Sequence, residues 1–399
     1  MKTFTDQTDS TDHTPLGVLT LPSDYESVLA ASRQRIEAGD AALRKAYDAL
    51  IARADVALSE GPYSVVDDDA IPPSGDPRDY MSQGPYWWPN PDTDDGLPYV
   101  RRDGQTNPDY YGGDHSISLK MVAAVYPLTL AWYFTGNAAY AQHATRLLRT
   151  FFLDNTTRMN PHLNYGQGIP GICEGRGIGI IDTHHLIAIV EVAPLLASSD
   201  AWTDADMQGL RAWFQQYVNW LDESPLGKKE RSEHNNHGTW FDAQFVAFSL
   251  FAQQPDRARA VLEEVGPQRI VKHIGPDGRQ PHELARTLSF TYSAYNIQGL
   301  VTLASLGERV GVDLWQYEGE DGRCLRKAIE FVMPYYANVE AWPYPQIKPA
   351  VRYKLAAVLR VARHVYRDPA FEQALSTAND ENWRSHPFVL LYPPLESTE

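Results

Sequence analysis

Residues 203–222, TDADMQGLRAWFQQYVNWLD, decide the class of fold. Leu210, Trp213, Phe214, Tyr217, Val218 and Leu221 recur at three- and four-residue spacing, so they fall on one face of an α-helix. Thr203, followed by Asp204 and Asp206, supplies a capping hydroxyl and negative charge where a helix start leaves backbone N–H groups unpaired. Working outward, the same period returns in Tyr140, Ala144, Leu147, Leu148, Phe151 and Phe152, and in Phe241, Phe245 and Phe248. It recurs in Leu325, Ala328, Ile329, Val332, Met333 and Tyr336, and in Leu355, Leu359, Ala362 and Tyr366. Strict apolar/polar alternation of strand length is scarce. The 399-residue chain therefore reads as all-α, with about ten or more helices of ordinary length.

Two stretches break the pattern. From Asp67 to Asp114, eight prolines and six glycines alternate with Tyr80, Tyr86, Trp87, Trp88, Tyr99, Tyr110 and Tyr111. Proline removes backbone donors and blocks helix, while the aromatics argue for an ordered loop. The second stretch, Asn160 to Asp182, carries Gly166, Gly168, Gly171, Gly175, Gly177 and Gly179. Helices of similar length joined by such loops suit an α/α toroid, an incomplete barrel of helical hairpins whose loops at one rim form a cleft. A polar tail over 1–20 and one toroidal domain over 21–399 are the expected division.

Composition narrows the function. Hydrophobic residues make up 43% and charged residues 22%, which excludes a disordered chain. Against 35 Lys and Arg stand 51 Asp and Glu, a net charge of −16; nucleic acid is not the expected partner, because phosphate contacts need clustered cations. Two cysteines, Cys173 and Cys324, allow neither a disulfide framework nor a four-thiolate zinc site. Residues Met1 to Thr14 lack the charged start and apolar run of a signal peptide, so the sequence reads as cytoplasmic; a leader removed beforehand would make it periplasmic or secreted. No run of eighteen or more apolar residues occurs, so no membrane is expected as a partner.

Polar groups concentrate beside aromatics in four segments. They are residues 83–108, with Tyr86, Trp87, Trp88 and Arg101; residues 171–185, with Arg176, His184 and His185; residues 234–242, His-Asn-Asn-His-Gly-Thr-Trp-Phe-Asp; and residues 282–296, with Arg286, Tyr292, Tyr295 and Asn296. The Asp182-Thr183-His184-His185 run looks like a metal-ligand cluster. Adjacent histidines on a helix diverge, however, and the His-Glu-x-x-His pattern is absent, so no metal is expected. No phosphate-binding loop and no Gly-x-Ser-x-Gly elbow occurs. Asn235-Asn236-His237 stands before an apolar helix, where one Asn suffices as a cap; two amides and an imidazole suggest recognition of a carboxylate or hydroxyl.

These residues resemble the alginate lyase superfamily of polysaccharide lyases, which includes alginate and glucuronan lyases. The resemblance rests on Gly84-Pro85-Tyr86-Trp87-Trp88-Pro89-Asn90-Pro91, Asn235-Asn236-His237, and Glu283-Leu284-Ala285-Arg286 with Tyr292, and it runs from about Ser64 to Pro345. It implies β-elimination on 4-O-linked polyuronates, such as alginate or polyglucuronate, with an acidic polysaccharide or oligosaccharide as partner. It carries Asn236, His237, Arg286 and Tyr292 over as the catalytic set. An α/α-toroid glycoside hydrolase and a non-catalytic carbohydrate-binding protein are the competing readings.

The chemistry explains the residue types. The C5 proton beside an ionised carboxylate is barely acidic, so donors and a cation must meet the charge that builds there. Asn236 and Arg286 fit that task. Neutral His237 or ionised Tyr292 could take the proton, and a phenol suits the acid that protonates the leaving oxygen; a neighbouring Arg favours the phenolate. The reaction needs no metal or organic cofactor. Trp87, Trp88 and Trp240 are the expected sugar platforms. Arg101, Arg102, Arg176, Lys228, Lys229, Arg231, Arg352 and Lys354 are candidates for a basic cleft in an acidic exterior. Tyr86, His185 and Tyr295 complete the expected substrate-binding set.

Overall fold

The computed structural model describes residues 20–350, 352–377 and 382–395; the expected tail lies outside them except for Thr20. Helices α1 (Tyr25–Glu37) and α2 (Ala41–Ala57) precede the long aromatic loop. Then come α3 (Gly113–Thr135), α4 (Ala138–Leu148), the short α5 (Ile187–Val192), α6 (Asp204–Glu223), α7 (Pro225–Arg231), α8 (Asn236–Phe251) and α9 (Pro255–Val265). The remainder holds α10 (Val271–His273), α11 (Pro281–Leu284), α12 (Ser289–Glu308), α13 (Leu325–Val332), α14 (Tyr353–Tyr366), α15 (Pro369–Thr377) and α16 (Phe388–Leu391).

The helices form two layers. An inner arc runs α3–α5–α8–α12–α14, each packed on the next. Outside it, α2 and α4 pack on α3, α6 and α9 on α8, α13 on α12, and α15 on α14. Layer explains sequence pattern. The outer α6 buries only the stripe Leu210, Trp213, Phe214, Tyr217, Val218 and Leu221, held at its start by Thr203, whose hydroxyl accepts from the Asp206 N–H. The inner α8 buries nearly every residue from Gly238 to Ser249; a helix apolar all round belongs inside. The 113–135 and 177–198 segments are accordingly long and apolar enough to cross a membrane by composition alone, yet 78% of each apolar window is buried in the protein. Burial among other helices accounts for their apolar character. Near the chain ends, Ser32 donates to the Leu390 carbonyl at 2.8 Å, and α16 packs on α1 and α2.

The two pattern-breaking loops are stitched together. Strand β1 (Met81–Gln83) pairs in parallel with β4 (Tyr165–Gly168), and β2 (Trp87–Trp88) pairs antiparallel with β3 (Val100–Arg101). Strands of two to four residues carry too little alternation to be seen in the sequence. The glycines answer a packing demand. A Cβ on Gly179 would lie 2.3 Å from the Gly166 carbonyl oxygen, and one on Gly175 would lie 2.1 Å from that of Asn164; only bare backbone fits. Cys173 and Cys324 are free thiols.

Candidate active site

The α8 start separates the roles of Asn235, Asn236 and His237. The Asn235 side chain is the cap, accepting the His237 N–H at 2.9 Å. Asn236 is then free for another partner: its backbone N–H donates to Glu283 Oε1 at 2.7 Å and its side-chain Nδ2 to Oε2 at 2.8 Å. Its carbonyl oxygen Oδ1 is buried without a protein partner. His237 Nδ1 lies 2.8 Å from Glu230 Oε1, a contact that assigns the Nδ1 proton and leaves Nε2 as the free ring nitrogen. The imidazole is 17% exposed. Burial alone would lower its pKa; the Glu230 carboxylate, joined by Glu283 and Glu233, more than offsets that and holds it above the ordinary histidine value.

The loop before this helix is fixed from behind. Buried Arg269 pairs with Asp242 at 2.7 Å and donates to the Glu233 and Arg231 carbonyls, each at 2.7 Å. Gly238 makes room for that guanidinium, since a Cβ there would sit 2.4 Å from Arg269 Nη1.

Arg286 lies in the short link between α11 and α12, so helical projection does not govern where it points. Its Nη2 donates to the Tyr292 hydroxyl at 3.0 Å and to Asp103 Oδ1 at 2.9 Å, and its guanidinium carbon is 4.0 Å from the Tyr292 ring centre. The Tyr292 hydroxyl also hydrogen-bonds that of Tyr86. Burial pushes the Tyr292 phenol well above its usual range; the nearby Tyr86 adds to this and Arg286 opposes it. The pull of Arg286 toward phenolate does not prevail, and the buried hydroxyl keeps its proton. Glu283 ties the halves together, because it holds Asn236 and its carboxyl lies in the fields of both Arg286 and His237. His237, Asn236, Glu283, Arg286, Tyr292 and Tyr86 therefore form one connected cluster.

The other expected positions divide. Arg176 donates through Nε to the Gln167 carbonyl at 2.8 Å and through Nη2 to Gln167 Oε1 at 3.0 Å, and stands 5.9 Å from the Trp87 ring. Gln167 is in turn held by buried Asp182 at 2.6 Å. Arg101 is largely exposed and pairs with Asp103 at 2.8 Å. Trp87 and Trp88 are half-buried, and the Trp88 indole donates to the Gln105 carbonyl at 2.8 Å. Tyr295 is partly buried beneath Lys354, whose ammonium is 5.2 Å from its ring centre. Two expectations are corrected. Trp240 is fully buried, packed against His184 and Tyr295, so it backs the site and offers no open face to a sugar. His185 is also fully buried, with Nε2 on Ser118 Oγ at 3.1 Å. Its neighbour His184 turns Nδ1 to the Ile181 carbonyl at 2.8 Å, which separates the pair that resembled a metal cluster. Arg102 stacks over Trp88, whereas Arg231 is engaged by Glu264 of the outer α9, so the basic segments do not act as one set.

Sequence reasoning missed Asp103, Glu230 and Glu283. Glu283 stood inside a quoted motif, and Glu230 lies seven residues before His237. Nothing in a chain with 51 acidic residues marks these three as the ones that meet the site, or Glu230 and Glu283 as buried.

The family model for alginate lyase matches residues 64–342. The chain is similar to the crystal structure of an alginate lyase from Bacteroides ovatus, with 35% identity, a TM-score of 0.88, and coverage of 93% of this chain and 98% of that one. Alginate lyase A1-III from Sphingomonas species A1 has 17% identity and a TM-score of 0.57 over 96% of this chain and 97% of its own. A histidine-to-alanine variant of A1-III complexed with tetrasaccharide has 16% identity and a TM-score of 0.59, with 98% of both chains covered. The latter two speak to the shared fold alone. No curated protein matches in sequence.

Proposed function

Since the chain belongs to the alginate lyase family and is a polysaccharide lyase, we propose that it cleaves a 4-O-linked polyuronate by β-elimination, with His237 as base and Tyr292 as acid. The observation that carries this reading is the connected cluster around Glu283 and Arg286. It supplies, in one place, a free imidazole nitrogen, an amide, a guanidinium and a protonated phenol.

The steps follow from the groups present. The uronate carboxylate meets Asn236 and the Arg286 guanidinium, which stabilise the charge that develops as C5 loses its proton. His237 Nε2 takes that proton, while the Nδ1 contact to Glu230 stabilises the imidazolium that forms. Electrons from the C5–H bond form the C4–C5 double bond, the C4–O bond breaks, and Tyr292 protonates the departing oxygen. The products are an unsaturated uronate end and a new hydroxyl end. A sugar whose C5 proton and leaving oxygen share one face would instead ask Tyr292 to serve both steps.

A substitution tests the assignment of the acid. Tyr292→Phe is expected to retain oligouronate binding and to lose turnover by about 10²- to 10⁴-fold, followed by the ultraviolet absorbance of the new double bond. Full turnover in this variant would remove Tyr292 from the mechanism. Reducing ends appearing without absorbance would indicate hydrolysis.

A further inference from the structure

We propose that Asp103 is a positioning residue that divides the positive charge of Arg286, so that the Tyr292 hydroxyl keeps the proton it must donate. The proposal rests on Tyr292 acting as the acid.

The geometry is a chain of contacts across three parts of the fold. Asp103 lies just after β3 and grips Arg286 with both oxygens, Oδ1 to Nη2 at 2.9 Å and Oδ2 to Nε at 3.3 Å. The Thr287 hydroxyl donates to the same carboxylate at 3.0 Å. The same Nη2 of Arg286 also donates to the Tyr292 hydroxyl, which meets that of Tyr86 from the segment between β1 and β2. The charged and titratable groups around the Tyr292 oxygen are thus Tyr86, Arg286 and Asp103, with Arg101 behind Asp103. Asp103 is not loosely placed. The adjacent Gly104 has φ +72°, and a Cβ there would come within 2.4 Å of Thr287 Oγ1, so the loop is seated against the segment that carries Arg286.

Charge arithmetic gives the role. A guanidinium beside a phenol stabilises phenolate, so Arg286 works against the burial that keeps the Tyr292 hydroxyl protonated. Asp103 supplies an opposite charge on the same guanidinium, so the phenol senses a partly neutralised pair. Arg101 also pairs with Asp103, but its side chain is 55% exposed against 19% for Arg286, and solvent screens that contact more strongly. Most of the Asp103 charge is therefore directed at Arg286. The same division leaves Arg286 able to take a substrate carboxylate without binding it so tightly that release suffers.

The experiment reads the phenol directly. Fluorotyrosine is incorporated throughout the protein, which brings phenol ionisation into a pH range where the fold persists. The Tyr292 fluorine signal is assigned by its loss in Tyr292→Phe. In substrate-free Asp103→Asn, Tyr292 is expected to ionise about one pH unit earlier than in the wild type, the order expected for loss of one nearby charge. Arg101→Ala is expected to move it the other way, and this variant keeps the test decisive if Asp103→Asn does not fold. In turnover, the alkaline loss of kcat/KM moves to lower pH in Asp103→Asn, and KM falls as Arg286 is released to the substrate. A folded Asp103→Asn protein whose Tyr292 ionises no earlier than the wild type overturns the proposal, as does a shift to earlier ionisation in Arg101→Ala. Because the titration uses no substrate, its outcome stands apart from whether the chain cleaves polyuronates.

Discussion

The imidazole of His237 carries a pH dependence that its surroundings set. A base must be neutral to accept the C5 proton, so activity rises as pH climbs through the His237 pKa. Burial pulls that pKa down, while Glu230 first, then Glu283 and Glu233, pull it up and together prevail, which places the acid limb above the ordinary histidine value. Glu230→Gln removes the upward pull, and the acid limb of kcat/KM is expected to move to lower pH. The amide can also present its N–H to Nδ1 and favour the wrong tautomer, which forfeits part of the roughly 10²- to 10⁴-fold that a positioned base supplies. An unchanged acid limb in Glu230→Gln would assign that limb to another group. At this scale the sequence disclosed Asn236, His237, Arg286 and Tyr292 through the company they keep, but not the acids that orient them. Asp103 and Arg286 are 183 residues apart, and a carboxylate reveals its partner only once the chain has folded.

Elements tell a similar story in terms of packing. The outer α6 was readable residue by residue, because a helix that faces water on one side must alternate its chemistry every 3.6 residues. Its start yields a stability test. Asp206 accepts from Arg149 Nη2 at 2.6 Å and from the Thr203 N–H at 2.8 Å. The Arg149 bond first of all, with Thr203, holds its carboxyl down to about 2. A depressed folded pKa contributes stability above the unfolded value near 3.8, and that contribution is lost as pH falls toward 2. Asp206→Asn is therefore expected to cost about 1 kcal/mol at neutral pH, discounted because Arg149 is 45% exposed. The difference from wild type should shrink as pH falls from about 4 and vanish only below about pH 2; a penalty that persisted there would point to lost packing. The inner helices were less legible, since α8 and α12 are buried on all sides and lack a clear stripe. The β1–β4 pair was invisible, because three residues of one loop find four of another some 80 positions away.

On the scale of the whole molecule, a net charge of −16 says little about the surroundings of a single, largely buried guanidinium such as Arg286; a sum over the surface does not report local arrangement. The ring itself was legible as a succession of similar helices, whereas its fastening was not. Buried Glu191 on α5 accepts from Arg309, just after α12, at 2.7 and 2.5 Å, and from the Leu21 N–H at 2.7 Å. One carboxylate thus joins the backbone at Leu21, ahead of α1, to α5 and the end of α12. Glu191→Gln is expected to cost about 3 kcal/mol, since it leaves Arg309 without its counter-charge, and to lower the thermal midpoint without altering the pH profile of activity. A wild-type melting curve would show that this fastening contributes nothing. The most direct measurement of the central claim is incubation of the enzyme with polymannuronate, polyguluronate and polyglucuronate in separate cells while double-bond absorbance is followed. The wild type is predicted to raise absorbance on at least one polymer, and Tyr292→Phe to leave all three flat; flat traces from the folded wild type on all three would contradict it.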